Sequence, residues 1–143
     1  MKLGLQLNGF DWAGGPERFA GTLVEIAQAA EEAGLDRIGV ADHVWQHPIM
    51  GGPERDEPEC YTTLAFLAAN TSGVRLTAMV SGVHFRYPGM LAKTVTTLDV
   101  LSGAAPLWAS ARATTERRRA GSGSPSPRLK RGSRCWRRRS ISA

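Results

Sequence analysis

Cysteine is scarce in this 143-residue chain: Cys60 and Cys135 are the only two, and they lie far apart. That excludes a disulfide framework and a cysteine zinc site, and it makes a reducing cytoplasm the expected compartment. No run of 18 apolar residues occurs, so no membrane-spanning helix is expected. The opening MKLGLQLNGF lacks a charged region followed by a long apolar stretch, so no secretory signal is expected either. At 143 residues the chain is also short for a complete large barrel enzyme, which takes about 250.

A second scarcity divides the chain. Residues 104–143 hold three Ile, Leu or Val (Leu107, Leu129 and Ile141), whereas residues 1–103 hold 22. Thirty of those last 40 residues are Ala, Arg, Gly, Pro or Ser. Such a segment cannot bury enough apolar surface to offset chain entropy, and disorder is expected there. Charge divides at the same place. Residues 1–103 carry 7 basic and 12 acidic residues, a net −5; residues 104–143 carry 11 basic residues and only Glu116, a net +10. The overall +5 therefore describes neither part.

The first part alternates in type. Leu3, Leu5 and Leu7 point one way and Gly4 and Gln6 the other, which predicts a strand over 2–8. Pro16 to Ala33 reads as a helix. Proline suits the first turn, Glu17 the positive end, and Gly34 the left-handed position beyond the last turn. Its apolar stripe is Phe19, Leu23, Ile26, Ala27, Ala30 and Ala33. Arg37–Ala41 is a short apolar run that predicts a buried strand. Prolines and glycines in Val44–Pro58 predict a long irregular loop. A second helix over Glu59–Thr71 buries Leu64, Leu67 and Ala68. A third strand covers Val74–Gly82. A third helix, Pro88–Leu101, turns Leu91, Val95, Leu98 and Leu101 inward, with Gly103 as its cap. Strand–helix repeated three times predicts right-handed crossovers and a parallel sheet, an α/β fold.

Functional groups in such sheets gather at the C-terminal strand ends. Three segments meet there: Asn8-Gly9-Phe10, Asp42-His43, and Ser81-Gly82-Val83-His84. In Asp42-His43, the imidazole can pass a proton near neutral pH and the carboxylate can accept hydrogen bonds from a ligand. The plainer reading makes Asp42 a cap for local amides and His43 a residue packed under the loop. Asp42, His43 and His47 also fall within six positions as hard or borderline metal ligands, but no cysteine or second histidine pair completes a site. His84 reads as a loop residue rather than a further ligand. Small residues in Met79-Val80-Ser81-Gly82 let a flat ligand approach the backbone, or mark an ordinary taper of strand into loop. Arg86 either holds an anion or ties its loop to Asp42 or Glu59, and the structural role is the expected one.

The stretches KLGLQL, GLDRIGVADHVW and TTLAFLAANTSGVRLTAMVSGVHFRYPGMLAKTVTTLDVLSG carry a family likeness. With them, residues 1–103 resemble the N-terminal part of luciferase-like flavin and deazaflavin oxidoreductases, most of all the members that use coenzyme F420, with FMN the alternative. The resemblance implies the first three βα units of an eight-stranded (β/α) barrel. It implies hydride or oxygen transfer to a small organic substrate, a reduced flavin or deazaflavin as partner, and a possible homodimer for the whole enzyme. Asp42 matches the family's cofactor-contacting acid, and His43 its proton-handling histidine in some members. Met79-Val80 falls on the family's non-prolyl cis peptide, which backs the ring, and Ser81 and Gly82 line the same face.

The likeness stops at Leu101-Ser102-Gly103. The family continues with Gly-Arg and a fourth strand of the type Leu-Gly-Ile-Gly-Ala-Gly; here AAPLWASARATT follows. Joining the third base of each codon to the first two of the next makes Trp108-Ala109 encode glycine. The stretch can then read Gly-Arg-Ala-x-Leu-Gly-Leu-Gly-Ala-Gly-Tyr-Tyr. Residues 104–143 are therefore read as out of frame, and little activity is expected of the 143-residue product. The alternative is a genuine basic tail. Arg117-Arg118-Arg119 and the cluster Arg134 to Arg139 around Trp136 would then contact phosphates and stack on bases, although a charge run is usually only solvated.

Overall fold

A computed structural model describes residues 1–102 of the chain. The expected order is present: β1 (Gly4–Leu7), α1 (Gly15–Glu32), β2 (Arg37–Val40), α2 (Cys60–Ala68), β3 (Arg75–Ala78) and α3 (Pro88–Leu101). The strands form one parallel sheet in the order β1-β2-β3. The disorder expected for 104–143 and the cap expected at Gly103 lie outside the described residues; Ser102 ends α3, its amide donating to the Leu98 carbonyl.

Register assigns the two faces of the sheet. Leu5, Ile38 and Leu76 form one row and Leu7, Val40 and Ala78 the next on the same face. These face the helices, because side chains two apart share a side. Ile38, Val40 and Leu76 are fully buried there, packed with Leu23, Ala27 and Ala30 of α1 and with Leu64 and Leu67 of α2. The opposite face carries Gln6, Gly39 and Thr77 in one row, small or polar residues throughout.

Several edges of the elements depart from expectation. Ala33 and Leu101 are exposed rather than inward-facing. Each stands at a helix end, where the apolar stripe has run past the sheet. Helix α2 stops at Ala68, because the Asn70 side-chain amide donates to the Phe66 carbonyl and the Thr71 hydroxyl to the Leu67 carbonyl. Those bonds compete with continuation of the helix. Residues 79–82 leave the sheet, Met79 and Val80 in a turn and Ser81 and Gly82 irregular. The loop after β2 is not wholly irregular: Pro48–Met50 and Gly52–Glu54 are two short 3₁₀ turns. The proline and glycine read as breakers build them. Proline occupies the first turn of each, and Gly51 joins them at φ 108°, which a side chain rarely adopts.

Two carboxylates fasten the N-terminal end of the sheet. Asp36, just before β2, is held by Lys2 at 3.1 Å, Arg37 at 3.1 Å and Arg75. The Arg75 hydrogen bond, with those of Lys2 and Arg37, holds its carboxyl well below the usual range against the effect of burial. Glu31, at the end of α1, accepts the amides of Ser72, Gly73 and Val74 ahead of β3. These amide bonds, Gly73 and Val74 foremost, lower its pKa.

Candidate functional site at the strand ends

Past β2 the chain carries Asp42 into the interior, where its side chain is 1% exposed. Its carboxylate accepts the Gly82 amide at 2.8 Å and the Arg86 Nε–H at 2.6 Å on Oδ2, and a further Arg86 N–H on Oδ1. The fork geometry of arginine suits this two-point contact. Arg86 also donates to Glu59 at 2.5 Å and lies over the Tyr61 ring, 4.6 Å from its centre. Glu59 in turn caps α2, accepting the amides of Tyr61 at 3.1 Å and Thr62 at 2.6 Å. Arg86 therefore ties its loop to both Asp42 and Glu59.

The same network reaches Ser81. The Tyr61 hydroxyl and Ser81 Oγ are 2.5 Å apart, both buried. Burial pushes the Tyr61 hydroxyl up, and the Ser81 hydrogen bond acts against that push. Cys60 is buried beside them and its thiol donates to the Val40 carbonyl at 3.5 Å. Burial, then the charges of Asp42 and Glu59, push that thiol far up, so it stays neutral and unreactive at physiological pH. The hydrogen bonds that Arg86 donates to Asp42 and Glu59 outweigh burial and fix its positive charge.

Beyond the buried network the edge is open and apolar. The Met79–Val80 peptide bond is cis, at the position the resemblance implied. Met79 is 43% exposed and Val80 half-buried. The Met79 amide donates to the Val40 carbonyl at 2.7 Å, and its side chain covers Gly39. A Cβ at Gly39 would lie 3.3 Å from the Met79 Cβ and 3.2 Å from its sulfur, so Met79 would have to shift by a few tenths of an ångström to admit one. His43 is exposed next to Asp42 in sequence, its ring 6.4 Å from that of His47. His47 turns Nδ1 to the Ile49 amide at 3.2 Å, capping the first 3₁₀ turn. His84 is exposed, packed edge-on against Phe85. Among the described residues no cluster of three His, Cys, Asp or Glu is arranged to hold a metal ion.

Thus Asp42, Ser81 and Gly82 meet in one network; Met79 and Val80 run into it through Ser81, and the exposed His43 follows Asp42 in the chain. Two buried residues near the strand ends, Gln46 and Tyr61, carry no sequence signal. Gln46 is buried, donating to the Asn8 carbonyl at 2.8 Å and accepting the His47 amide at 2.8 Å, and so binds the loops after β1 and β2 together. Nothing in the sequence around Tyr61 marks its hydroxyl as the partner of Ser81 or its ring as the seat of Arg86.

Glu59 makes a pH prediction. Burial opposes its charge, but the Thr62 and Arg86 hydrogen bonds and the amides of Thr62 and Tyr61 bring its pKa from 4.5 to about 2. A pKa depressed on folding stabilises the fold above the unfolded value and loses that contribution as pH falls through the folded one. Urea midpoints should therefore hold down to about pH 5 and fall toward pH 2. Half of the side chain meets water, so its share is within about 1 kcal/mol. The gap between the parent and Glu59→Gln should be present at pH 7 and close by pH 2; a gap that widens in acid would contradict this.

A family model described as luciferase-like monooxygenase matches residues 3–104. The chain belongs to the luciferase-like monooxygenase family. A Mycobacterium tuberculosis protein with the provisional name coenzyme F420-dependent oxidoreductase is 37% identical over 103 residues, 72% of this chain and 25% of that protein. The F420-dependent glucose-6-phosphate dehydrogenase of Kineococcus radiotolerans is 36% identical over 90 residues, 60% of this chain and 25% of that enzyme. Among solved structures, the oxygenating constituent of 3,6-diketocamphane monooxygenase from Pseudomonas putida, in complex with FMN, superposes with a TM-score of 0.62. It is 16% identical over 76% of this chain and 28% of its own, a likeness of fold. The described part of this family member is thus α/β with parallel strands, three βα units of the (β/α)8 barrel type. The chain spans about a quarter of the length of the curated relatives it matches. No helix among its described residues is long and apolar enough to cross a membrane.

Proposed function

We propose that this strand-end edge takes the ring of a deazaflavin or flavin, coenzyme F420 first and FMN as the alternative, in an enzyme that transfers a hydride or an oxygen atom to a small organic substrate. One observation carries the reading: an exposed apolar step at Met79-Val80 runs directly into a buried, fully partnered Asp42–Gly82–Arg86 network, with the exposed imidazole of His43 at the neighbouring strand end. A planar ring fits such a surface, since it needs a flat apolar backing and few polar contacts. The names of the two curated relatives support F420, and the FMN complex of similar fold keeps FMN open.

In this reading Met79 and Val80 back the ring and Ser81 and Gly82 line its edge. Asp42 holds that edge in place, since its oxygens are taken by Gly82 and Arg86. His43 holds or moves a proton at its exposed imidazole. When bound, the ring supplies the redox chemistry, and the protein supplies orientation and electrostatics.

The edge supplies only part of a site. Cofactor phosphates in such barrels are held by loops around the seventh and eighth strands. A ring-edge contact alone does not offset an association cost of about 4–15 kcal/mol. The test is a fluorescence titration of F420 and FMN against the 143-residue chain and against a version with the reading frame restored after Gly103. The restored protein should bind one of them and the 143-residue chain should bind neither tightly. Asp42→Ala in the restored protein should weaken binding. Tight binding by the 143-residue chain would overturn the partial-site argument, and an unaffected Asp42→Ala variant would remove Asp42 from the site.

A further inference from the structure

A cavity of about 340 Å³ lies between the loop after β1, the first turns of α1 and the residues ahead of α2. That is the lower end of the roughly 300–1,000 Å³ range of small-molecule sites. Its wall holds three rings. Trp12 and Phe19 stack with centres 5.4 Å apart and planes 23° apart, and Phe10 meets Trp12 edge-on at 5.6 Å. Phe10 is 1% exposed, so the ring cluster is anchored in the core.

Glu57 lines the same cavity, and both of its carboxylate oxygens are buried without a hydrogen-bond partner among the described residues. Buried polar atoms in native proteins are nearly always partnered, because desolvation without a hydrogen bond is costly. The nearby cations do not supply the partner. Arg18, also on the cavity wall, pairs with Glu25 at 3.7 Å, and Arg55 pairs with Asp11 at 3.4 Å. Burial raises the Glu57 pKa, as expected of a carboxylate with no counter-charge. The charged groups of the wall are Asp56 and Glu57 against Arg18, so an anion is disfavoured. Aromatic faces attract cations, most strongly within about 6 Å of the ring centre.

We propose that this cavity binds a small organic ammonium: an apolar or aromatic body against Trp12 and Phe19, with its amino group paired to the Glu57 carboxylate, which turns into the cavity to meet it. The amine supplies the hydrogen bonds that the Glu57 oxygens lack, which a neutral ring of the same shape does not. Its residues include none of Asp42, His43, Met79 to Gly82 or Arg86, so the proposal does not rest on the cofactor reading.

The experiment uses the full 143-residue chain at pH 7, titrated by calorimetry with 2-phenylethylamine, 2-phenylethanol and phenylacetate. The amine should saturate with a Kd of about 1 mM or tighter. The alcohol should bind at least about tenfold more weakly, and phenylacetate should not bind. Glu57→Gln keeps the shape and removes the charge, so it should bind amine and alcohol alike. Without ligand it should melt no lower than the parent, having lost an unpaired buried carboxylate. Trp12→Ala should weaken amine and alcohol together. The amine-to-alcohol ratio on the unmodified chain and the Trp12→Ala result stand whether or not Glu57→Gln folds. No saturation by amine below about 10 mM, no preference for amine over alcohol, or a preference retained in Glu57→Gln would overturn the proposal.

Discussion

Replacing Arg86 by leucine should destabilise the fold by about 3–5 kcal/mol, the usual cost of leaving a buried carboxylate without its cation. Asp42 is 1% exposed and Arg86 is 21% exposed, so water does not readily take the place of the guanidinium. The loss should reach beyond the pair. Arg86 also engages Glu59 and covers Tyr61, and Tyr61 meets Ser81. The end of β2, the start of α2 and the turn after β3 should therefore loosen together. Urea denaturation of four proteins gives the measurement: parent, Arg86→Leu, Asp42→Asn and the double variant. Asp42→Asn added to Arg86→Leu should recover part of the loss, because the unpaired charge is gone. Arg86→Lys should recover little, since one ammonium cannot reproduce the two-point contact. A loss below about 1 kcal/mol in Arg86→Leu would mean the pair adds no more than a surface ion pair.

His43→Ala should have the largest effect on chemistry. In the frame-restored protein we expect turnover to fall by about 10²–10⁴-fold, the usual worth of a positioned proton-transfer group. Cofactor affinity should change by less than about threefold, because His43 is exposed and no hydrogen bond to its imidazole fastens it to the Asp42 network. Steady-state kinetics on reduced cofactor, together with a cofactor titration, separates the two quantities. His43→Gln should behave like His43→Ala, since the amide keeps polarity and loses the transferable proton. Turnover within about threefold of the parent in both variants would remove His43 from the reaction.

The architecture was legible because its signals are local. Leu3, Leu5 and Leu7 announce a strand by alternation, and Leu23, Ala27 and Ala30 announce a helix by period. Both patterns arise within a few residues. Boundaries depended on what neighbours do, and local pattern misplaced Ala33 and Leu101 for that reason. In the candidate site, Asp42, His43 and the Met79 to Gly82 turn were found from strand ends and from the family likeness. Arg86 was placed correctly against Asp42 and Glu59, 44 and 27 residues away, because opposite charges at one sheet edge have few other partners. Gln46 and Glu57 were silent. Each is a polar residue in a proline- and glycine-rich loop, where exposure is the usual expectation. What buries them comes from elsewhere in the chain: the Asn8 carbonyl for Gln46, and the ring cluster's cavity for Glu57.

Strand β2 lies between two aspartates, Asp36 just before it and Asp42 just after, and each is clamped to a different part of the chain. Consider an error in which β2 slides along its neighbours. A slide of one residue turns Ile38 and Val40 to the wrong side, and the apolar pattern alone rejects it. A slide of two residues returns every side chain to its proper side, so the apolar pattern barely objects. It nevertheless moves the strand by about 6–7 Å, at about 3.3 Å per residue. Asp36 would then leave Lys2 and Arg75, and Asp42 would leave Gly82 and Arg86. The two carboxylates thus act as end stops that detect the one class of misalignment to which alternating hydrophobicity is blind.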